Sequence, residues 1–459
     1  MPRTLVSPER GGNLERDTIA AVATPAGRGG IGIVRISGSR ALEILSAICK
    51  RDVRTRVATV TQFFDLADHP IDHGLALAFP APRSFTGEHV AELHGHGGPV
   101  VMDMLLSAAI ERGARLARPG EFTERAYLNG KMDLAQAEAV ADLISSRSKA
   151  AARSALRSLS GSFSTRIGVL AKEMLELRIY VEGAIDFPED DIDFLAEGRV
   201  SERLERLIGS LDELLKTATQ GAILTEGITL VLAGRPNVGK SSLLNRLLGF
   251  DRAIVTDTPG TTRDVLAEMM DLDGVPVRVV DTAGLRTSGD EIEREGMRRA
   301  RAQIDEADRI LLVRDASVPE TVASLVLEQS LATDRLTVVT NKVDLTSIES
   351  GEVSDGELPE VCVSALTGAG IDVLKRHILW AVGHREDAGV FSARRRHLDA
   401  LTRARTSLDH GARALAESGA GELLADDLRR AHDQLGEIVG TISSNALLGE
   451  IFRRFCIGK

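Results

Sequence analysis

Gly234-Arg235-Pro236-Asn237-Val238-Gly239-Lys240-Ser241 follows an apolar run, Ile228 to Ala233, and precedes a helical one, Ser242 to Leu248. Strand, glycine-rich turn and helix in that order make a phosphate loop, because glycines let backbone N–H groups converge on an anion at a helix N-terminus. Lys240 adds a charge at the β/γ oxygens, and the Ser241 hydroxyl can ligate Mg²⁺. Further along, Asp281-Thr282-Ala283-Gly284 ends a second apolar run, Val275 to Val280. That places a carboxylate at a strand end for the Mg²⁺ shell and a glycine N–H near a γ-phosphate. Asn341-Lys342-Val343-Asp344 follows the run Leu336 to Thr340. The Asp344 carboxylate can accept hydrogen bonds from guanine N1–H and its 2-amino group, neither of which adenine offers there. Asn341 can buttress the loop and contact the base, the Lys342 stem can cover the base face, and Ser364-Ala365-Leu366 can present a backbone N–H to guanine O6. Four motifs in this order, each at a strand end, predict a GTP-binding domain.

Around that core, strands are expected at Ile228 to Ala233, Val265 to Asp271, Val275 to Val280, Arg309 to Val313, Leu336 to Thr340 and Val361 to Val363. Helices between them imply a mostly parallel α/β sheet. From Asp133 to about Thr219, Leu134, Ala137, Ala141 and Ile144, then Leu170, Met174, Leu177 and Val181, recur at helical spacing. The acidic run Glu189, Asp190, Asp191, Asp193 reads as a solvated turn. The same helical period returns after His384 through Leu398, Leu401, Leu408, Leu415, Leu423 and Leu428. Before Asn129, β-rich runs such as Thr18 to Ala23 and Ile31 to Ile36 alternate with turns and a helix near Val100 to Arg112, an α+β pattern. The expected fold is multidomain α+β and α/β, with an extension at 1–16, an α+β domain at 17–130, a helical domain in two parts, 131–226 and 384–459, and an inserted α/β domain at 227–383. Two separate helical bundles are the alternative to insertion.

Composition narrows the function. The 459 residues carry 27% charged and 43% hydrophobic side chains and a formal charge of −11, and no stretch is long and apolar enough for a membrane span. The first 130 residues are nearly neutral, so the acidity lies in the remainder, which argues against phosphate binding by the whole surface. Aromatic residues are only 3%, too few for extensive base stacking. Three scattered cysteines, Cys49, Cys362 and Cys456, give no disulfide framework, so a cytoplasmic location is expected. Gly27-Arg28-Gly29-Gly30-Ile31-Gly32 fits a dinucleotide fingerprint in letters, yet Ile31 to Ile36 reads as strand and not as the helix that fold requires, so the fingerprint is rejected. His94-Gly95-His96-Gly97-Gly98 reads as a glycine-rich turn in preference to a metal pair, for want of further ligands. Cys456 reads as either a small buried hydrophobe or a reactive thiol.

The nucleotide motifs resemble those of the translation-factor-related GTPases, with Asp257-Thr258-Pro259-Gly260-Thr261-Thr262-Arg263-Asp264 similar to their switch I. The resemblance implies Thr262 as a second Mg²⁺ ligand beside Ser241, and nucleotide contacts that include Ser242 and Thr256. Leu285 follows Gly284 where Ras-like GTPases hold a water-orienting Gln, and an aliphatic side chain cannot do that. Hydrolysis is therefore expected to draw on Lys240, on K⁺ held by Asn237, Thr256, Thr258 and Thr261 against the phosphates, and on Glu293 to place water. Glu293 also has a bland reading as one solvated carboxylate beside Asp290, Glu291 and Glu295.

With GRGGIGIVRISG, SFTGE, HGHGG, RPGEFTERAYLNGKMDLAQAEA, IDFPEDDIDF and the terminal FCIGK added, the chain from Asp17 to Lys459 resembles the MnmE (TrmE) family of bacterial and organellar tRNA modification GTPases. That resemblance implies a homodimer formed through a folate-binding N-terminal domain, and a K⁺-activated G domain. It also implies a flavin-dependent partner, MnmG (GidA), in a heterotetramer that acts on tRNA. The implied reaction adds an aminomethyl or carboxymethylaminomethyl group at C5 of the wobble uridine, using a one-carbon unit of a tetrahydrofolate derivative, 5-formyl or 5,10-methylene. Arg35, Glu92, Lys131 and Lys459 match the family's folate contacts, in keeping with a pterin's want of a carboxylate and a glutamate tail's want of cations. The contrasting expectation is a ribosome-assembly GTPase switch, whose hydrolysis only times release.

Overall fold

The computed structural model describes residues 17–146, 148–186, 199–250, 267–281, 302–319, 321–322, 325–326, 331–353, 358–384, 390–442, 445–453, 455–456 and 458. Two compact units are present: Met1–Glu138 together with Gly440–Lys459, and Ala139–Val439.

The first unit is built on β1 (Ile19–Val22), β2 (Gly29–Ser37), α1 (Ala41–Cys49), β3 (Thr59–Phe64), β4 (Pro70–Phe79), β5 (Val90–Gly97), α2 (Pro99–Glu111), β6 (Arg115–Leu116) and α3 (Glu121–Leu128). Its sheet runs β3-β4-β5-β2-β1-β6 and is antiparallel except where β1 meets β6. Strand side chains alternate between faces. In β2, Val34 and Ile36 point into the core with Leu45, Ile48, Phe63, Leu93 and Leu105, while Arg35 between them takes the other face. The same alternation in β5 buries Leu93 and leaves Glu92 and His94 beside Arg35's face. His94 to Gly97, expected as a turn, is the end of β5. Its glycines serve close approach: a Cβ on Gly95 would crowd Leu105 of α2 and the Asp72 carboxylate. Glycine in a strand marks such contacts as often as it marks a turn.

Helices dominate the rest: α4 (Leu134–Ser145), α5 (Lys149–Leu159), α6 (Ser162–Asp186) and α7 (Val200–Glu226) come before the second sheet. In α6, Leu170, Met174, Leu177 and Val181 are buried at the expected spacing. The second sheet contains β7 (Ile228–Ala233), then α8 (Lys240–Phe250), β8 (Ala267–Leu272), β9 (Val275–Asp281), β10 (Arg309–Asp315), β11 (Leu336–Asn341), β12 (Gly351–Val353), β13 (Glu360–Cys362) and α9 (Ile371–Ala381). The strand order is β12-β13-β11-β10-β7-β9-β8; β7, β9, β10, β11 and β13 are parallel, and β8 and β12 are antiparallel edges. Near-continuous apolar runs such as Ile-Thr-Leu-Val-Leu-Ala in β7 are what a parallel sheet covered on both faces requires. Leu230, Leu232, Leu311 and Val313 pack on one face, and Val231, Ala233, Ile310 and Leu312 on the other. The short edge strand β12 was not expected, and the expected strand start at Val265 lies outside the described residues.

The chain ends in α10 (Arg395–Ser418), α11 (Gly421–Val439) and α12 (Asn445–Arg453), the last belonging to the first unit. The leucine period continues through α10, but Leu423 faces solvent and Leu424 takes the core place. Leu424, Leu428, Ala431, Leu435 and Ile438 keep the three-and-four spacing of one helix face, which Leu423 breaks. No described helix is long and apolar enough to cross a membrane.

Candidate functional site

In an open α/β sheet, ligands sit at the carboxyl ends of the parallel strands. Here the loops after β7, β10, β11 and β13 meet at that end. The phosphate loop leaves β7 at Gly234 and enters α8 at Lys240, with Asn237 in the left-handed region at φ 64°, which Asn tolerates better than most residues. Gly239, at φ 95°, lies against the Asn341 amide so closely that any Cβ would collide with it. Lys240 is buried and donates to the Gly234 and Arg235 carbonyls at 2.9 and 2.8 Å, which sets its ammonium inside the curl of the loop. Ser241 and Ser242 are in the first turn of α8, where the helix dipole favours an anion. Val238 is buried and anchors the loop.

Asn341 ties this loop to the base-reading end. It is 1% exposed, its Nδ2 donates to the Val238 carbonyl at 3.0 Å, and its Oδ1 accepts the Ala365 N–H at 3.0 Å. One amide N–H and the Oδ1 thus buttress two loops, and of the Ser364-Ala365-Leu366 backbone N–H groups expected to offer one to guanine O6, that of Ala365 is donated to Asn341. Lys342, in the left-handed region, donates to the Asn237 carbonyl at 2.9 Å and to Asp315 at 2.6 Å. Although burial opposes it, Lys342 and Ser317 hold the Asp315 carboxyl below the usual range. The Ser364 hydroxyl donates to Asp344 Oδ1 and so orients the carboxylate, whose remaining lone pairs can take two donors. Arg246 on α8 donates to the carbonyls of Ala365 and Leu366, clamping that loop from behind. Gly239, Asn245, Arg246, Asn341, Asp344 and Leu366 are among the residues lining a cleft of about 650 Å³, with Leu345 and Leu366 largely exposed at its apolar flank.

Asp315 and Arg246 escaped the motif reading; the signal available was a carboxylate closing the strand run Arg309 to Asp315. Asp281 closes β9 opposite Leu232 of β7. Thr256, Asp257, Thr258, Pro259, Gly260, Thr261, Thr262, Thr282, Ala283, Gly284, Leu285 and Glu293 lie outside the described residues, as does the acidic run at Glu189.

A second polar site lies in the first unit. Arg35 and Glu92 are register partners on β2 and β5, and their side chains pair at 2.9 Å. Glu92 also accepts from His94 Nε2 at 3.1 Å. That hydrogen bond, helped by Arg35 against the cost of burial, holds the Glu92 carboxyl below the usual range. The Arg35 guanidinium lies 5.6 Å from the Phe85 ring and 5.8 Å from that of Phe122, a cation–π arrangement. Arg35 and Glu92, expected as separate ligand contacts, therefore form one unit, with Phe85, Phe122 and His94 as neighbours. His96 is tied instead to Asp72, at 2.8 Å. The loop bearing Phe85 is braced underneath: Ser37 donates to Glu88 at 3.0 Å, Arg125 donates to Glu88 at 2.9 Å, and Asn129 donates to the Thr86 carbonyl at 2.7 Å. Lys131 is exposed and donates to the Pro82 carbonyl at 3.2 Å.

Nearby, Glu121 is buried among Arg115, Arg118 and Arg125. Burial alone would raise its carboxyl, but the Arg115 hydrogen bond, the Arg118 N–H and Arg125 bring it down to about 2. The C-terminal tail packs on the same unit. Phe452 meets the rings of Phe455 and Tyr127 at a tilt, and Gly120 N–H donates to the Cys456 carbonyl at 3.3 Å. Gly458, at φ 94°, presses on the Val22 carbonyl where a Cβ would not fit. Val22 adjoins Ala21, the register partner of Arg35. Cys456 is exposed, so the buried-hydrophobe reading falls. Lys459 lies outside the described residues.

The MnmE helical domain family model matches residues 134–456, and that of the GTP-binding protein TrmE N-terminus matches residues 18–131. The tRNA modification GTPase MnmE of Ectopseudomonas mendocina (strain ymp) is 53% identical over 97% of this chain and 100% of its own length. The protein of the same name from Pseudomonas aeruginosa (strain UCBPP-PA14) is 52% identical over 96% of this chain and 99% of its own. Among solved structures, the G domain of the T. maritima FeoB iron transporter is similar over 34% of this chain and 98% of its own, at 26% identity and a TM-score of 0.26.

Proposed function

This chain belongs to the MnmE family of tRNA modification GTPases, and from that premise we propose that its GTP hydrolysis drives modification at C5 of the wobble uridine. The group added is aminomethyl or carboxymethylaminomethyl, with a tetrahydrofolate derivative supplying the one-carbon unit. The observation that carries the nucleotide half is the Asn341 bridge, which couples a phosphate loop to the Asp344 carboxylate across one cleft. Asp344 reads guanine, Lys342 covers the base, and Lys240 with the first-turn N–H groups of α8 receives the phosphates.

Ser241 at the start of α8 and Asp281 at the end of β9 are hard oxygen donors of the kind Mg²⁺ takes; Thr262 joins them in this reading. Bound there, the ion would neutralise charge on the phosphates. Asn237, exposed on the loop, serves K⁺ with Thr256, Thr258 and Thr261, and Glu293 positions water. In the first unit, the Arg35–Glu92 pair supports the folate reading: Glu92, kept ionised by His94 and Arg35, is an acceptor for a pterin's N–H groups, and Lys131 and Lys459 are cations for the glutamate carboxylates. The packing of Gly458 beside β1 supports a tail that reaches this pocket.

The rest of the reading is cytoplasmic: a homodimer through the folate-binding domain 17–130, a helical domain of 131–226 and 384–459, an inserted G domain at 227–383, and a complex with flavin-dependent MnmG acting on tRNA. The test is mass spectrometry of wobble uridine in tRNA from cells lacking this protein. Loss of the C5 substituent, restored by the intact gene and not by an Asp344→Asn variant, is expected. An unchanged nucleoside profile would refute it.

A further inference from the structure

At the loop Pro80 to Glu88, next to Lys131, stand two cations that the folate reading leaves unused, Arg56 and Arg83. Lys131 reaches its Pro82 carbonyl, Arg56 donates to its Arg83 carbonyl, and Arg83 itself is exposed. Arg56 is held in place by Phe79, whose ring centre lies 5.8 Å from its guanidinium. Two residues beyond Arg83, Phe85 lies over the Arg35 guanidinium of the polar pocket. Arg83 on this loop, with Arg56 and Lys131 bonded to its carbonyls, therefore gathers three cations at the loop that carries Phe85. Among the described residues no carboxylate is paired with Arg56, Arg83 or Lys131, and their side chains make no further polar contact. The loop's one carboxylate, Glu88, is buried and neutralised by Arg125.

A group of unneutralised cations on a loop that borders a ligand pocket matches a ligand with an extended polyanionic tail, since both partners keep their charge and neither needs to be desolvated. We propose that Arg56 and Arg83, continuing from Lys131, bind the γ-linked polyglutamyl tail of the folate, so that the protein prefers polyglutamylated over monoglutamylated cofactor. This rests on the proposed folate site and adds the tail's chain length as a determinant of affinity. Each added glutamyl unit brings one more carboxylate on a flexible chain, and a planar guanidinium can hold a carboxylate with two parallel hydrogen bonds.

The test titrates 5-formyltetrahydrofolate and its triglutamate form into the full-length protein at low and high salt. Two exposed ion pairs predict a triglutamate preference of roughly 2- to 30-fold, which shrinks as salt rises. In the double variant Arg56→Gln/Arg83→Gln the preference should vanish while monoglutamate affinity holds. The single reversal Arg83→Glu should invert it. Equal affinity of the wild type for the two forms would overturn the inference and leave the folate reading standing, whereas binding of neither form would remove both. A preference that survives the double variant would overturn the assignment to these arginines. Loss of tRNA binding in that variant, with the folate ratio unmoved, would give the patch to nucleic acid instead.

Discussion

Replacing Asn341 with Ala severs two bonds at once: Nδ2 to the Val238 carbonyl, which holds the phosphate loop, and Oδ1 to the Ala365 N–H, which holds the loop near Asp344. Asn341 is almost fully buried, and each group left without a partner there costs about 1–3 kcal/mol. The adjacent cleft of about 650 Å³ lets water reach part of the gap, so the low half of that range applies. Two groups at about 1.5 kcal/mol each come to about 3 kcal/mol, or roughly 150-fold in affinity if bound nucleotide must restore both loops. Titration of a fluorescent guanine nucleotide into wild type and Asn341→Ala, beside thermal unfolding of both, separates the outcomes. Affinity that falls by two orders of magnitude, with a modest drop in Tm, is expected. If Tm falls and affinity stays within about threefold, Asn341 only fills the core and the bridge argument fails.

The Asp344→Asn variant should lose GTP and gain xanthosine triphosphate, because an amide N–H can meet the carbonyl at xanthine C2; unchanged GTP affinity would unseat Asp344 as the base reader. Hydrolysis should run much faster in K⁺ than in Na⁺ at matched ionic strength, since Leu285 cannot position water and Asn237 stands exposed on the phosphate loop; equal turnover would count against the cation site. Glu121, with its carboxyl at about 2 against an ordinary 4.5, contributes stability that is fully present above pH 4.5 and is lost as pH falls toward 2. That shift corresponds to about 3 kcal/mol. Glu121→Gln should remove this acid dependence, read as hydrogen exchange in α3 between those pH values; an exchange profile matching the wild type would dismiss the ion cluster as a source of stability. Deleting the FCIGK tail should weaken binding of 5-formyltetrahydrofolate roughly 10- to 150-fold while sparing GTP, from charge-assisted bonds of about 1.5–3 kcal/mol. Identical folate affinity would detach the tail from the pocket.

What the sequence determined alone was local in origin. A strand, a glycine-rich turn and a helix are written in consecutive residues, so Gly234 to Ser241 was legible, as were Asn341 to Asp344 and the buried period Leu170, Met174, Leu177 and Val181. The apolar runs of β7, β10 and β11 announced a sheet covered on both faces, because a two-sided burial pattern needs no distant partner to be recognised. Tertiary structure decided the rest. Arg35 and Glu92, 57 residues apart, were two independent charges in the sequence and became one ion pair because strand register set them opposite each other. Asn341 was expected to buttress its loop, but only packing of the β11 end showed that its amide ties two loops together, one from each end. Leu424 replaced Leu423 in the core because helix phase follows contact with neighbouring helices and not the first leucine met. Gly95 looked like a turn residue until α2 and Asp72 were seen to need its missing Cβ. Asp315 and Arg246 belonged to no motif, since their roles consist only of what lies next to them: a lysine ammonium and two carbonyl oxygens brought there by strands and a helix that the chain supplies from far apart.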